Sequence, residues 1–289
     1  MTHTSPHPAH DGAHPAHRSA PDSGNQAEIL DLDADVLAEH TASVTAWLPV
    51  RTEPRHIVDL GCGTGAGTFA LLTRFPGAAV TAVDTSADHL HRLRDKARSL
   101  GLADRVRTVA ADLDADWPDL GRPELVWASA SLHHMADPAR TLRKVHDLLV
   151  PGGLFAVVEL AGFPRFLPDS APEERPGLEE RCHAALAHHH AEHAPHRGAD
   201  WGTALAAAGF TVEGERTITV DVDGSRSGAV GPYALRGLER LRDSAAHALT
   251  AEDAGALDRL LDADGPQGIL RRGDLAVRTE RAVWAARRA

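Results

Sequence analysis

The sequence predicts an α/β protein built on a doubly wound sheet, and three observations carry that prediction. Short apolar runs at 57–60, 79–83, 106–109, 125–128 and 154–160 alternate with segments of helical periodicity. The first run enters a glycine-rich turn, His56-Ile-Val-Asp-Leu-Gly-Cys-Gly-Thr-Gly-Ala-Gly-Thr68, and the second ends in an acid, Val80-Thr-Ala-Val-Asp84. Strand, glycine turn, helix, strand and acid in that order place a nucleotide-type pocket at the carboxyl edge of a parallel sheet. Right-handed crossovers then put helices on both faces.

The elements follow in order. Residues 1–26 are rich in His, Pro, Ala, Ser and Asp and lack apolar periodicity. Such a segment buries too little surface to offset its ordering entropy and is expected to be a disordered tail. Its histidines (His3, His7, His10, His14, His17) are spaced by prolines that work against a rigid metal cage. From Ala27 to about 46, Ile29, Leu30, Leu32, Val36, Leu37 and Val44 recur at helical spacing. Pro49 and Pro54 bracket the link to the strand at 57–60. A helix starts at Thr68 and stops near Phe75-Pro-Gly77, and a second runs over 87–100 with Gly101 as its stop. The strand at 106–109 ends in Ala110-Ala-Asp112. After the strand at 125–128, a helix over 141–149 stops at Pro151-Gly-Gly153, which feeds the strand Leu154–Leu160. Beyond 160 the pattern changes. Residues 161–200 carry prolines, mixed charge and histidines, 200–209 read as helix, and 210–222 as an alternating strand. Helices at 232–248 and 251–262 follow, the latter opened by Thr250 with Asp253 in a capping-box arrangement. Residues 275–286 close as a strand.

The 289 residues are 43% hydrophobic, enough for one large domain or two small ones. Thirty basic and 41 acidic residues give a net charge of −11, which disfavours non-specific nucleic-acid binding. Cys62 and Cys182 give no disulfide framework, and Cys62 fits the turn as a small residue. No segment has a signal peptide's apolar region or the length of a membrane span, so a cytoplasmic setting without membrane contact is expected.

Asp59, two residues before Gly61, selects among nucleotide-type ligands. Its carboxylate repels a pyrophosphate but attracts an ammonium or sulfonium group. Gly61, Gly63 and Gly65 let backbone approach a ligand where a Cβ would block it. An acid at Asp84 accepts hydrogen bonds from ribose hydroxyls, with Thr85 and Ser86 beside it. Gly61-x-Gly63-x-x-Ala66 also fits the dinucleotide fingerprint, so an NAD-dependent oxidoreductase remains an alternative.

The set Asp59, Gly61, Gly63, Gly65 and Asp84, with Trp127-Ala-Ser-Ala-Ser-Leu-His-His-Met135 and Leu142-Arg-Lys-Val-His-Asp-Leu-Leu-Val-Pro-Gly-Gly-Leu-Phe155, resembles the class I S-adenosylmethionine (SAM)-dependent methyltransferases of small-molecule type. The resemblance covers about 27–160 strongly and 200–289 loosely. It implies a Rossmann-like sheet of seven strands, the last antiparallel, with 210–222 and 275–286 as strands six and seven. It implies one domain over 27–289, with a cofactor core at 50–160 and helical insertions at 161–200 and 230–265 that cap an acceptor pocket. Asp59 is expected near the methionine ammonium, with Cys62 and Thr64 in the loop around it. Asp112, flanked by Ala111 and Leu113, is expected at the adenine, with Asp114 as a decoy. Ser129 and Ala130 are expected along the methionine side. His133 or His134 is the candidate general base, and Glu159 is either a catalytic acid or base or a structural hydrogen-bond partner. The 27–46 helix is expected as a lid, with Asp31, Asp35 or His40 reaching in. A second histidine set (His183, His188, His189, His190, His193, His196) is expected on a solvent-facing helix or in a cap that lines the acceptor pocket, without metal. The implied reaction moves a methyl group to an O, N or C nucleophile of a small molecule, with specialised metabolism as one setting. A protein methyltransferase and a SAM-binding protein of altered chemistry are further alternatives.

Overall fold

β1 (His56–Leu60) takes the middle of the sheet because the run Ile57-Val-Asp-Leu60 is buried throughout, as a strand covered on both faces must be. It pairs in parallel with β2 (Ala79–Asp84) on one side and β4 (Leu125–Ser129) on the other. β3 (Val106–Ala110) lies outside β2, and β5 (Leu154–Leu160) lies outside β4, both parallel. β7 (Ala276–Arg288) runs antiparallel to β5, and β6 (Phe210–Asp223) closes that side antiparallel to β7. The order β3-β2-β1-β4-β5-β7-β6 is the expected seven-stranded sheet. It reverses direction between β1 and β4, the point at which such sheets open a crevice. The computed structural model describes residues 23–193 and 196–289, and the side chains of all of these except 23, 24 and 187–193.

Helix boundaries follow their caps. α3 (Ala66–Arg74) starts two residues before the expected Thr68 because Gly65, at φ +100°, turns the chain into it. α4 (Ala87–Ser99) is capped by Ser86, whose Oγ accepts from His89 N at 3.3 Å. α5 (Pro138–Leu148) starts three residues before the expected Thr141. Asp137 Oδ1 accepts from Arg140 N at 2.9 Å, and Pro138 stands at the first helical position.

The single helix expected over 27–46 is two helices, α1 (Ser23–Val36) and α2 (Ala38–Trp47), broken at Leu37. Val36 and Leu37 pack into one apolar cluster, whereas Val44 and Leu48 pack into another under the sheet. One straight helix cannot face both. Four of the residues assigned to the tail, 23–26, belong to α1. Residues 1–22, with the expected disorder and the five tail histidines, lie outside the described residues.

The segments after β5 build a second layer. α6 (Leu178–His193), α8 (Val230–Ala245) and α9 (Ala251–Leu261) pack with the far ends of β6 and β7. That core holds Leu178, Cys182, Val220, Tyr233, Leu257 and Val277. α7 (Trp201–Ala207) instead covers a face of the main sheet through Trp201 and Leu205. The capping box forms by half. Thr250 Oγ1 accepts from Asp253 N at 3.1 Å, but the Asp253 carboxylate turns to Arg175 at 2.7 Å and Arg181 at 2.9 Å, tying α9 to the 161–200 segment. Among the described residues no helix is long and apolar enough to cross a membrane.

Candidate functional site

The crevice between β1 and β4 opens a cavity of about 430 Å³ walled by the strand ends, the glycine loop and α1. The loop amides of Gly61 and Cys62 both donate to Val83 O, at 2.8 and 3.0 Å, which pins the turn across the end of β2. Asp59, Gly61, Cys62, Gly63, Thr64, Asp84, Thr85, Ala111, Asp112, Leu113, Ser129, Ala130 and His134 all line this cavity, so thirteen of the sixteen sequence-assigned residues meet in one place.

Asp59 is 2% exposed, and Thr68 Oγ1 donates to its Oδ2 at 2.6 Å. Burial pushes its pKa up to about 7; the Thr68 hydrogen bond pulls the other way, and the nearby Asp84 charge adds to the rise. Beside it Trp127, paired in register on β4, has a buried indole Nε1–H with no partner. Asp84 differs. Burial pushes its pKa up, but His89 and the amides of Ser86 and Gly63 outweigh that, so it stays below the ordinary carboxylate value. Gly63 N donates to Oδ2 at 2.9 Å and Ser86 N to Oδ1 at 2.8 Å. One backbone amide on each oxygen, with His89 Nδ1 3.4 Å from Oδ1, leaves further acceptor capacity, most of all on Oδ2. Asp112 sits exposed at the rim. Asp114 also reaches the cavity wall, but its carboxylate is engaged by Ala136 N at 2.9 and 3.1 Å. Burial, with Asp59 and Asp84 nearby, raises the Cys62 thiol well above its usual value, which keeps it protonated and unreactive.

Three assigned residues are elsewhere. Gly65 is absent from the wall; a Cβ there would strike Phe69 at 2.7 Å and Leu93 at 3.0 Å. Ser86 is spent as the α4 cap. His133 faces a second cavity, described below. The glycines also serve packing. A Cβ on Gly61 would meet Ser131 Cβ at 2.4 Å, and one on Gly63 would meet Leu30 of α1 at 3.2 Å.

The lid residues are not those expected. Gln26, Leu30 and Asp33 line the cavity, while Asp31 pairs at the surface with Arg92 at 3.2 Å and Asp35 is exposed. His40 lines neither cavity. Positions 26, 30 and 33 share one helical face, a pattern available in the sequence once the helix is started at Ser23. Asp33 Oδ1 accepts from Tyr233 Oη at 2.6 Å and from Arg281 at 3.2 Å, which fastens α1 to α8 and β7.

The second cavity, about 210 Å³, shares Gln26, Leu30, Asp33, Ala130 and His134 with the first. Ala130 holds φ +51°, a strained value for a residue with a Cβ, at that shared wall. Phe163, Phe166, Leu186, Leu238 and Leu241 give the cavity apolar sides, and Arg197, Arg240 and Arg281 also reach it. Both expected insertions, 161–200 and 230–265, therefore contribute wall residues. His133 Nδ1 lies 2.6 Å from Glu159 Oε2, with both side chains buried, and Glu159 Oε1 accepts from Leu132 N at 2.8 Å. Burial, with a smaller contribution from His133, lowers the pKa of His134 to about 4. His183 lies 3.9 Å from Glu179 and stacks near Phe163. The side chains of His188, His189, His190 and His193 lie outside the described residues. Among those described, no three His, Cys, Asp or Glu side chains cluster to hold a metal.

Residues 58–155 match the family model of the methyltransferase domain. The chain is 40% identical over 122 residues to a trans-aconitate 2-methyltransferase of Acidovorax sp. (strain JS42), covering 42% of this chain and 45% of that one. It is 37% identical over 163 residues to a malonyl-[acyl-carrier protein] O-methyltransferase of Halorhodospira halophila, covering 56% and 50%. The chain thus spans about half the length of these curated relatives. A solved Bacillus halodurans protein, proposed to be a methyltransferase, superposes with a TM-score of 0.55 at 17% identity, covering 86% of this chain and 99% of that one. That likeness speaks to the fold.

Proposed function

We propose, starting from the match of residues 58–155 to the model of the methyltransferase domain, that the chain is a class I SAM-dependent methyltransferase and transfers a methyl group from SAM to a small molecule held in the second cavity. The carrying observation is the shared wall, since Gln26, Leu30, Asp33, Ala130 and His134 border both cavities. Donor and acceptor bound there would meet across it, and alignment of that kind supplies about 7–11 kcal/mol in favourable cases.

The first cavity fits the donor. Asp59, buried and short of a cation, complements an ammonium group. The unpaired Trp127 N–H beside it complements a carboxylate, so together they suit an amino-acid zwitterion. Asp84 retains acceptor capacity for ribose hydroxyls, and Asp112 at the rim suits the adenine amino group. Bound SAM supplies an electrophilic methyl on a sulfonium. His133 gives Nδ1–H to Glu159, which fixes the ring and leaves Nε2 to take a proton from an O–H or N–H acceptor. His134, uncharged at neutral pH, gives a wall that does not repel the sulfonium. A specialised metabolite is the acceptor to screen first, because the cap segments lie outside the 58–155 domain.

Calorimetric titration with SAM, S-adenosylhomocysteine (SAH) and NADH, beside an Asp84→Ala variant, tests this. Micromolar SAH binding, about −8 kcal/mol, that disappears in the variant is the expected result. A folded protein that binds neither SAM nor SAH overturns it, and binding of NADH instead points to an oxidoreductase. In a screen, SAH release only with protein substrates redirects the acceptor class, and none with any acceptor leaves a SAM-binding protein of altered chemistry.

A further inference from the structure

Among the described residues, two of the three arginines that reach the second cavity, Arg197 and Arg240, have no acid paired with them. Arg281 has Asp33 at 3.2 Å. Arg240 bonds a neutral partner, Gln26 Oε1. Arg197 lies over the Phe163 ring, 3.8 Å from its centroid, and its buried Nε and one terminal nitrogen have no hydrogen-bond partner. The remaining titratable groups on the wall do not cancel this charge. Asp33 is taken by Tyr233 and Arg281. The Glu159 carboxylate behind His133 accepts from that ring and from the Leu132 amide. His183 stands beside Glu179 at 3.9 Å. Partial burial disfavours the charged form of Arg197, and two of its nitrogens are closed to solvent without an acceptor. Such donors are costly to fold, and a bound anion relieves that cost, while Arg240, an exposed residue lining the same cavity, adds a second positive charge there.

We propose that Arg197 and Arg240 form a carboxylate-binding subsite, so that the molecule seated in the second cavity is an organic acid with an apolar body. The Arg197 nitrogens supply unspent donors in the fork geometry that a carboxylate matches. Phe163, Phe166, Leu238 and Leu241 take the apolar body. This deepens the proposed function by naming the acceptor class, and it rests on the second cavity being the acceptor cavity.

Binding of 3-phenylpropionate and of its uncharged amide to the full chain, with and without SAH, tests the subsite independently of turnover. The acid is expected to bind at least tenfold more tightly than the amide. Arg197→Gln should remove that difference, leave SAH affinity within twofold, and raise the melting temperature, because an unpaired buried cation has gone. Arg197→Lys should restore part of the preference. Equal affinity for acid and amide, no binding of the acid, or an acid preference unchanged in Arg197→Gln overturns the proposal. A melting temperature lowered in Arg197→Gln also overturns it, since that marks a structural role. Acid preference without any SAH binding leaves the subsite standing and removes the methyltransferase reading, so the two failures are told apart.

Discussion

Asp59 is a carboxylate folded where water does not reach it, and it keeps its proton to about pH 7. In the unfolded chain it would lose that proton near pH 4. The folded state therefore holds the extra proton between those values, and this residue's contribution to stability falls as pH rises from about 4 to 7. A bound ammonium reverses the preference. SAM binding at pH 7 should release roughly half a proton, and its affinity should climb from pH 6 to 8 and then level. Calorimetry in buffers of different ionisation enthalpy measures the release, and a heat independent of buffer would count against the Asp59 role. Asp59→Asn should bind SAM more weakly yet stabilise the ligand-free protein above pH 7, by on the order of 4 kcal/mol for a shift of about three units. At this scale the sequence was informative where register decides position, as for Asp59 and Asp84, which it brings to one cavity at adjacent strand ends. It was silent where two roles use the same residue type. Gly65 and Ser86 are spent on starting helices, and nothing local distinguishes a serine that caps from one that lines a pocket. Arg197 and Arg240 belong to no motif and meet only through the fold.

α1 is held by several neighbours, α8 foremost. Leu30 rests against Gly63, Asp33 reaches Tyr233 and Arg281, and Glu28 pairs with Arg236 at 3.1 Å. Because Gln26, Leu30 and Asp33 wall both cavities, the position of this helix sets the closure of both. Asp33→Ala leaves the buried Tyr233 hydroxyl and Arg281 short of their acceptor, a loss of about 1–3 kcal/mol. Amide exchange over residues 23–36 should quicken by tenfold or more while exchange in β1 and β4 stays unchanged. Equal exchange in the variant would show that Asp33 does not hold the helix. The helices of the sheet half were legible to within three residues, because their apolar stripes and caps are local. The break at Leu37 was not, since periodicity runs through it unchanged and only the two separate clusters served by Val36 and Val44 require it.

The whole molecule has two centres of packing, the sheet with its helices and the cap around α8, joined by the long β6–β7 pair. Ile218 touches the apolar clusters of both. Heating should therefore give a single transition. SAH at a hundred times its Kd adds about 2.7 kcal/mol and should raise the midpoint by roughly 5 °C. Two transitions, only one of them moved by SAH, would mean that cap and sheet unfold apart. The sheet was legible whole, through five apolar runs, two later strand-like segments, and a resemblance that made those two the sixth and seventh strands with the last antiparallel. Of the cap's helices, α8 and α9 were visible but α6 was not, because 161–200 carries no clear apolar periodicity, and the way their residues face one another depends on contacts distant in sequence. The strand order adds a consequence for the chain as it is made. β5 ends at Leu160, but β7, which pairs with it, begins only at Ala276. On a ribosome adding about 5–20 residues per second, that edge stays open for on the order of ten seconds. An apolar strand, buried when paired, waits through that interval in reach of neighbouring chains. Nascent chains stalled before Ala276 should then bind chaperones or associate with one another, and chains released beyond Arg288 should not.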